Sequence, residues 1–180
     1  MFKTLKIMIH ITDKCNMNCS YCYNKFPRDN KDIDMILLLK YIDDVYKKTK
    51  RNIDILLIGG EPSLYKNIHE FIIECRKRIF ISDIDFFTNF SRGIDFYKLL
   101  IKNKVNLVCS WHNETDDNEF SNKLNSLTND EKKFIVEIAM MFEHNNIDRW
   151  NNVISQVFKK YKNVIQPWIL YDRYTTKEYT

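Results

Sequence analysis

Cys15, Cys19 and Cys22 place three thiols within eight residues, directly after a stretch that reads as a β-strand. Leu5, Ile7, Ile9 and Ile11 alternate with other residues, the period of a strand with one apolar face, so the thiols are delivered together at one strand end. Thiols so placed hold an iron–sulfur cluster or a zinc ion, or are three unrelated thiols. Structural zinc takes four ligands in paired arrangements, and its fourth ligand here would have to come from a distant residue such as His10 or His112. A 4Fe–4S cube held by three thiolates leaves one iron open to a substrate, so this loop suggests a reactive cluster more than an electron store.

The rest of the chain repeats one pairing. Asp32 is positioned to cap a helix over residues 33–49, with Ile33, Ile36, Leu37, Tyr41 and Val45 on its apolar face. Residues 53–58 form a short apolar run ending in Gly59-Gly60, which suits a buried strand. A helix over residues 66–78 follows, with Ile68, Phe71, Ile72 and Cys75 inward. Further strands are expected at 84–88, 105–111, 134–141 and 164–169, and helices at 95–102, 117–127 and 148–161. Six strands alternating with helices imply parallel pairing with helical crossovers. The sequence therefore predicts an α/β fold of parallel strands, as one domain over residues 1–180.

Composition excludes several classes. With 44% hydrophobic and 29% charged residues, the chain is of the globular type. Its formal net charge of +4 comes from Lys and Arg interleaved with Asp and Glu, a solvated surface rather than a nucleic-acid interface. No apolar run reaches the roughly 18 residues of a membrane span, and the start lacks the features of a secretory signal. Five cysteines without such a signal fit a reducing compartment, so a cytoplasmic location is expected.

The cysteine loop, Tyr23 and the segment Gly59-Gly60-Glu61-Pro62 together resemble the radical S-adenosylmethionine (SAM) superfamily, in its peptide- and cofactor-maturing branch. The resemblance implies a partial (β/α)6 parallel barrel like a TIM barrel with fewer units, with which the six-fold alternation agrees, and a 4Fe–4S cluster on Cys15, Cys19 and Cys22, with SAM chelating the open iron. It puts Tyr21 where an aromatic residue approaches the adenine, and Gly59, Gly60 and Glu61 where the family meets the SAM amino group. Related enzymes often carry Thr-Asn-Gly where this chain has Thr88-Asn89-Phe90; Phe90 in place of glycine predicts a different turn, with Asn89 a candidate SAM contact or a polar strand end. Ser110 resembles a strand-four position that touches the SAM ribose or carboxylate.

Strand alternation puts Val108, Ser110 and His112 on the barrel interior, opposite Cys109 and Trp111. His112 is a candidate catalytic residue, contacting substrate or donating a proton, or else a hydrogen-bonded structural histidine. Glu137 is either an inward carboxylate or a lone strand-edge residue. Cys75 and Cys109 read as core.

The resemblance implies reductive cleavage of SAM to a 5′-deoxyadenosyl radical that abstracts hydrogen from a peptide, protein or small cofactor precursor. It also implies an external one-electron reductant of the flavodoxin or ferredoxin type. Glycyl-radical-activating enzymes and 7-carboxy-7-deazaguanine synthase are small relatives of the same kind. A non-catalytic iron–sulfur or zinc-binding protein is the alternative of another class.

Overall fold

Every strand lies hydrogen-bonded beside its predecessor in sequence, giving one six-stranded sheet in the order β1-β2-β3-β4-β5-β6 with all pairs parallel. The computed structural model describes residues 4–22, 30–142, 148–149, 151, 153, 155, 161 and 165–169. The strands are β1 (Leu5–His10), β2 (Ile53–Ile58), β3 (Ile81–Thr88), β4 (Asn106–Trp111), β5 (Ile135–Phe142) and β6 (Ile165–Ile169). Between them run α1 (Met35–Thr49), α2 (Ile68–Arg76), α3 (Ile94–Lys102), α4 (Asp117–Ser126) and the single turn α5 (Asn129–Lys132). This is the α/β alternation expected from the sequence, and it matches the partial parallel barrel.

Alternation along the strands divides the sheet into two unlike faces. Ile9, Ile55, Leu57, Ile84, Phe86, Leu107, Cys109, Ile138 and Met140 are buried on one face, in the same core cluster as Leu39 and Ile42 of α1, Phe71 and Cys75 of α2, Tyr97 and Leu100 of α3, and Phe120 of α4. The opposite face carries His10, Asp54, Ile58, Phe87 and Ser110, all incompletely covered. Helices thus seal one side, and the concave side is left for a ligand.

Helix α1 differs from its expected form in two ways. Its N-cap is Asp34, whose side chain accepts from the Leu37 N–H at 2.9 Å. Its inward residues are Leu38, Leu39 and Ile42, whereas Ile36 (73% exposed), Leu37 and Tyr41 face outward. The run Met-Ile-Leu-Leu-Leu supplies apolar residues to more than one helical stripe, so periodicity cannot choose between them; docking on the strands does. Asp32 is used elsewhere, as described below.

Of the expected helix over 148–161, helical residues are seen at 148, 149, 151, 153, 155 and 161; the other positions, including Trp150, Ile154, Val157 and Phe158, lie outside the described residues, as do Tyr23, Pro27, Asp29 and Val164. No helix among the described residues is long and apolar enough to cross a membrane.

Candidate active site

All four chemistry-bearing loops come together at the C-terminal edge of the sheet, where parallel α/β folds place their sites. The cysteine loop leaves β1 and is bound to the other three by a ring of hydrogen bonds.

The first link is backbone on backbone. Gly60 N–H donates to the Thr12 carbonyl at 2.8 Å, and Glu61 N–H to the Lys14 carbonyl at 2.6 Å. A Cβ at Gly59 would meet the Thr12 oxygen, and one at Gly60 the carbonyl oxygens of Asp13 and Lys14. Neither glycine has a positive φ. The pair is therefore demanded by space, so that the cysteine loop can lie directly against the end of β2. Gly93, by contrast, has nothing near its missing Cβ.

A second link runs through Asp32. Its carboxylate accepts from the Thr12 hydroxyl at 2.6 Å and the Lys14 ammonium at 2.7 Å, and its backbone pairs with Thr12 in an isolated antiparallel bridge. Burial works to raise the Asp32 carboxyl, but the bonds from Lys14 and Thr12 prevail and hold it below its ordinary range. Asp32 thus closes the base of the cysteine loop instead of capping α1.

Asn89 makes the third link. Its amide N–H donates to the Asn16 side-chain oxygen at 2.8 Å, while the Asn16 amide donates to the Ser91 hydroxyl at 2.8 Å. Phe90 keeps a left-handed φ of 57°, the conformation that favours glycine, and its ring packs against Tyr97 and Phe120 at 4.3 and 5.2 Å. Aromatic packing holds this strained residue in place.

Glu61 points inward, 1% exposed. Its carboxylate accepts from Ser63 N–H at 3.0 Å, the Thr88 hydroxyl at 2.7 Å and Asn89 N–H at 2.6 Å. It ties the end of β2 to the end of β3, and burial still raises its carboxyl despite these donors.

The fourth link crosses to β4. The Tyr21 hydroxyl lies 2.9 Å from His112 Nδ1, donates to Glu114 at 3.2 Å and accepts from Asn113 N–H at 3.3 Å. His112 Nδ1 is also 3.7 Å from the Cys19 sulfur. Burial lowers the His112 imidazole, while burial and the neighbouring Glu114 push the Cys19 thiol up to about 12. Arg149 holds the loop that carries His112, with a two-point contact to Asp117 and donation to the carbonyls of Asn113 and Thr115.

Ser110 is half-buried on the concave face, level with Ala139 of β5. Two residues further on, just past the end of β4, His112 reaches the cysteine loop. Glu137, also half-buried, is level with Val108 on that face. Cys75 and Cys109 are fully buried in the core.

The roles of Asp32, Asn16, Glu114 and Arg149 are not visible in the sequence. Their partners lie 20, 73, 93 and 32 residues away, so local spacing carries no sign of them. Only the sequence proximity of Glu114 to His112 was available as a signal.

The donor set fits a metal cluster and a polar ligand. All five cysteines are free thiols, and the three in the loop are held at one edge by the links above. A buried thiol with so high a pKa needs a cation beside it to ionise, which iron supplies. Cys15 already accepts the Met17 N–H, as a cluster thiolate does. Beside Tyr21 and His112, both polar atoms of the Asn113 amide are buried without a partner, a cost of about 1–3 kcal/mol that a polar ligand would remove.

A parallel α/β sheet with three free thiols ringed by loops at its C-terminal edge defines a protein built to hold an iron–sulfur cluster and a small polar cofactor. The chain belongs to the radical SAM superfamily, whose family model matches residues 9–153; the family uses a 4Fe–4S cluster and SAM. It is 28% identical over 148 residues to the S-adenosylmethionine-dependent nucleotide dehydratase of Psychrobacter lutiphocae, a match covering 72% of this chain and 49% of that one. Its fold is that of anSMEcpe with bound AdoMet and Kp18Cys peptide, at a TM-score of 0.69 and 17% identity over 94% of this chain and 51% of the other. It is also that of BtrN in complex with AdoMet and 2-DOIA, at 0.64 and 16% over 94% and 72%. The chain spans between 21% and 49% of the length of the curated relatives it matches.

Proposed function

We propose that residues 1–180 form a radical SAM core that holds a 4Fe–4S cluster on Cys15, Cys19 and Cys22 and catalyses a hydrogen-abstraction reaction. When bound, the reduced cluster supplies the electron that splits SAM into methionine and a 5′-deoxyadenosyl radical, which takes hydrogen from the substrate. The observation that carries this reading is the fit of the cysteine loop against Gly59 and Gly60, which fixes three free thiols at the open edge of the sheet.

The chain's own residues contribute position and seclusion. Asp32, Asn89 and the two glycines hold the loop that presents the thiols. Glu61 acts from within by locking the β2 and β3 ends together, while the backbone of Gly59 and Gly60 is the part of that motif nearest the loop. Tyr21, Asn113 and Ser110 offer the polar groups for the cofactor's nucleoside portion. His112 stands beside Cys19 and Tyr21, where a neutral imidazole can donate or accept at its Nδ1 atom.

The substrate is a peptide or a small molecule reaching the concave face, and the electron comes from an external flavodoxin- or ferredoxin-type donor. The peptide alternative draws on the likeness to anSMEcpe, which holds a bound Kp18Cys peptide; the small-molecule one draws on the dehydratase relative. The test is anaerobic reconstitution, reduction with dithionite in the presence of SAM, and measurement of 5′-deoxyadenosine. Release of this product by the wild-type chain, and none from Cys15→Ala, Cys19→Ala or Cys22→Ala, is expected. A reconstituted cluster that never cleaves SAM, with any reductant and in the presence of candidate substrates, would sink the catalytic reading.

A further inference from the structure

The thiol of Cys19 belongs to a second group of donors. Its sulfur, His112 Nδ1 and a Glu114 carboxylate oxygen all lie within 4.8 Å of one another. Cys15 and Cys22 are not part of this group. Zinc bonds of about 2.3 Å to sulfur and 2.0–2.1 Å to nitrogen put two ligands of one tetrahedral ion roughly 3.5 Å apart. The Cys19 sulfur and His112 Nδ1 are 3.7 Å apart. Glu114 is exposed on a loop, so its carboxylate can move onto the ion, and Tyr21 already bridges it to His112.

We propose that, without its cluster, the chain binds one zinc ion through Cys19, His112 and Glu114, with the fourth position left to solvent. Three protein ligands and one open position is an arrangement zinc adopts readily. On binding, the Cys19 S–H proton leaves to solvent as the Zn–S bond forms, and the imidazole proton moves from Nδ1 to Nε2 by exchange with solvent, so that the Nδ1 lone pair faces the metal. The site needs only one of the three loop thiols. Because Cys19 is shared, zinc and the cluster exclude each other. Zinc occupancy therefore holds the chain in a state that cannot assemble its cluster until the ion is withdrawn. This inference does not depend on the catalytic reading, since its donors are those of the cluster-free chain.

The experiment is a titration of the anaerobically purified, cluster-free full chain with cobalt(II), followed by zinc competition against a chromophoric chelator. Binding of one cobalt with tetrahedral d–d bands and thiolate charge-transfer absorption is expected. Cys19→Ser should abolish it, His112→Ala and Glu114→Gln should each weaken it tenfold or more, and Cys15→Ala and Cys22→Ala should leave it unchanged. Glu114 is exposed, so its variant is expected to fold, which circular dichroism checks. Binding that is lost in Cys15→Ala or Cys22→Ala and indifferent to Glu114→Gln overturns the proposal, because the loop thiols alone would then hold the ion. Absence of stoichiometric binding overturns it as well. The cluster reading is judged separately, by iron–sulfur absorption after reconstitution. That absorption should require Cys15 and Cys22 but not Glu114, so either reading can fail alone.

Discussion

Gly60 donates its backbone N–H to the carbonyl oxygen of Thr12 at 2.8 Å, and the place of its missing Cβ is filled by the carbonyl oxygens of Asp13 and Lys14. A side chain here has no flexible neighbour to displace. Gly60→Ala must push the cysteine loop away from β2, at a cost of about 2–3 kcal/mol. The expected result is a lower melting temperature together with loss of iron incorporated on reconstitution. Gly93→Ser is the control: its Cβ enters open space, and its hydroxyl supplies the side-chain cap that α3 lacks. It should stabilise by about 0.5 kcal/mol and leave iron content unchanged.

Glu61 gives a pH signature. Its carboxylate is buried with three donors around it, and burial sets its folded pKa above the unfolded one. The folded state therefore holds this proton more tightly. The stabilisation is fully present below the unfolded pKa and is lost as pH rises through the folded value. Glu61→Gln removes the titration and turns an amide donor toward the N–H of Ser63 or Asn89, costing about 1–3 kcal/mol at any pH. Melting temperatures of the two proteins should thus differ most in acid and converge as pH rises. A gap that widens with rising pH would contradict the sign.

How legible these features were depends on how far apart the partners lie. The cysteine loop and the Gly59-Gly60 pair are short-range patterns, and the first strand announces itself by the alternation of Leu5, Ile7, Ile9 and Ile11, the second by its short apolar run. The need for glycine was visible but not its reason, since only the folded chain shows the Thr12 and Lys14 carbonyls lying across it. Asp32 was read as a cap because a cap is a local device; its real partner, Thr12, is 20 residues earlier. The buried face of α1 could not be chosen while Ile36, Leu37, Leu38 and Leu39 stood in one run. Glu61 was legible as part of a motif, yet its inward turn depends on Thr88 and Asn89 arriving from another strand.

Phe90 predicts an inverted order of substitutions. Its φ of 57° favours glycine over any side chain, while its ring is buried between Tyr97 and Phe120. Removing the ring costs about 3–5 kcal/mol, and only glycine recovers the backbone strain of roughly 1–2 kcal/mol. Both Phe90→Gly and Phe90→Ala should destabilise, with the glycine variant the more stable by about 1 kcal/mol in denaturant unfolding. Equal losses would mean that the left-handed turn relaxes when the ring is gone.

The last prediction concerns the proton on His112. Tyr21 has one hydroxyl proton and directs it to Glu114, while the Asn113 N–H donates to the same phenol oxygen. With no zinc on it, His112 Nδ1 then donates its N–H across the 2.9 Å contact, and burial lowers the imidazole and favours its neutral form, so this is its single ring proton. The same N–H lies 3.7 Å from the Cys19 sulfur. Hydrogen bonds to cluster sulfurs raise reduction potentials, and a bond worth about 1 kcal/mol corresponds to roughly 40 mV for one electron. His112→Phe keeps the ring and removes the donor, so the cluster's midpoint potential should fall by about that amount in an anaerobic redox titration followed by electron paramagnetic resonance. Tyr21→Phe removes the competing acceptor and turns the N–H fully toward Cys19, so its potential should rise. If both variants move the potential the same way, His112 acts through packing and not through its proton.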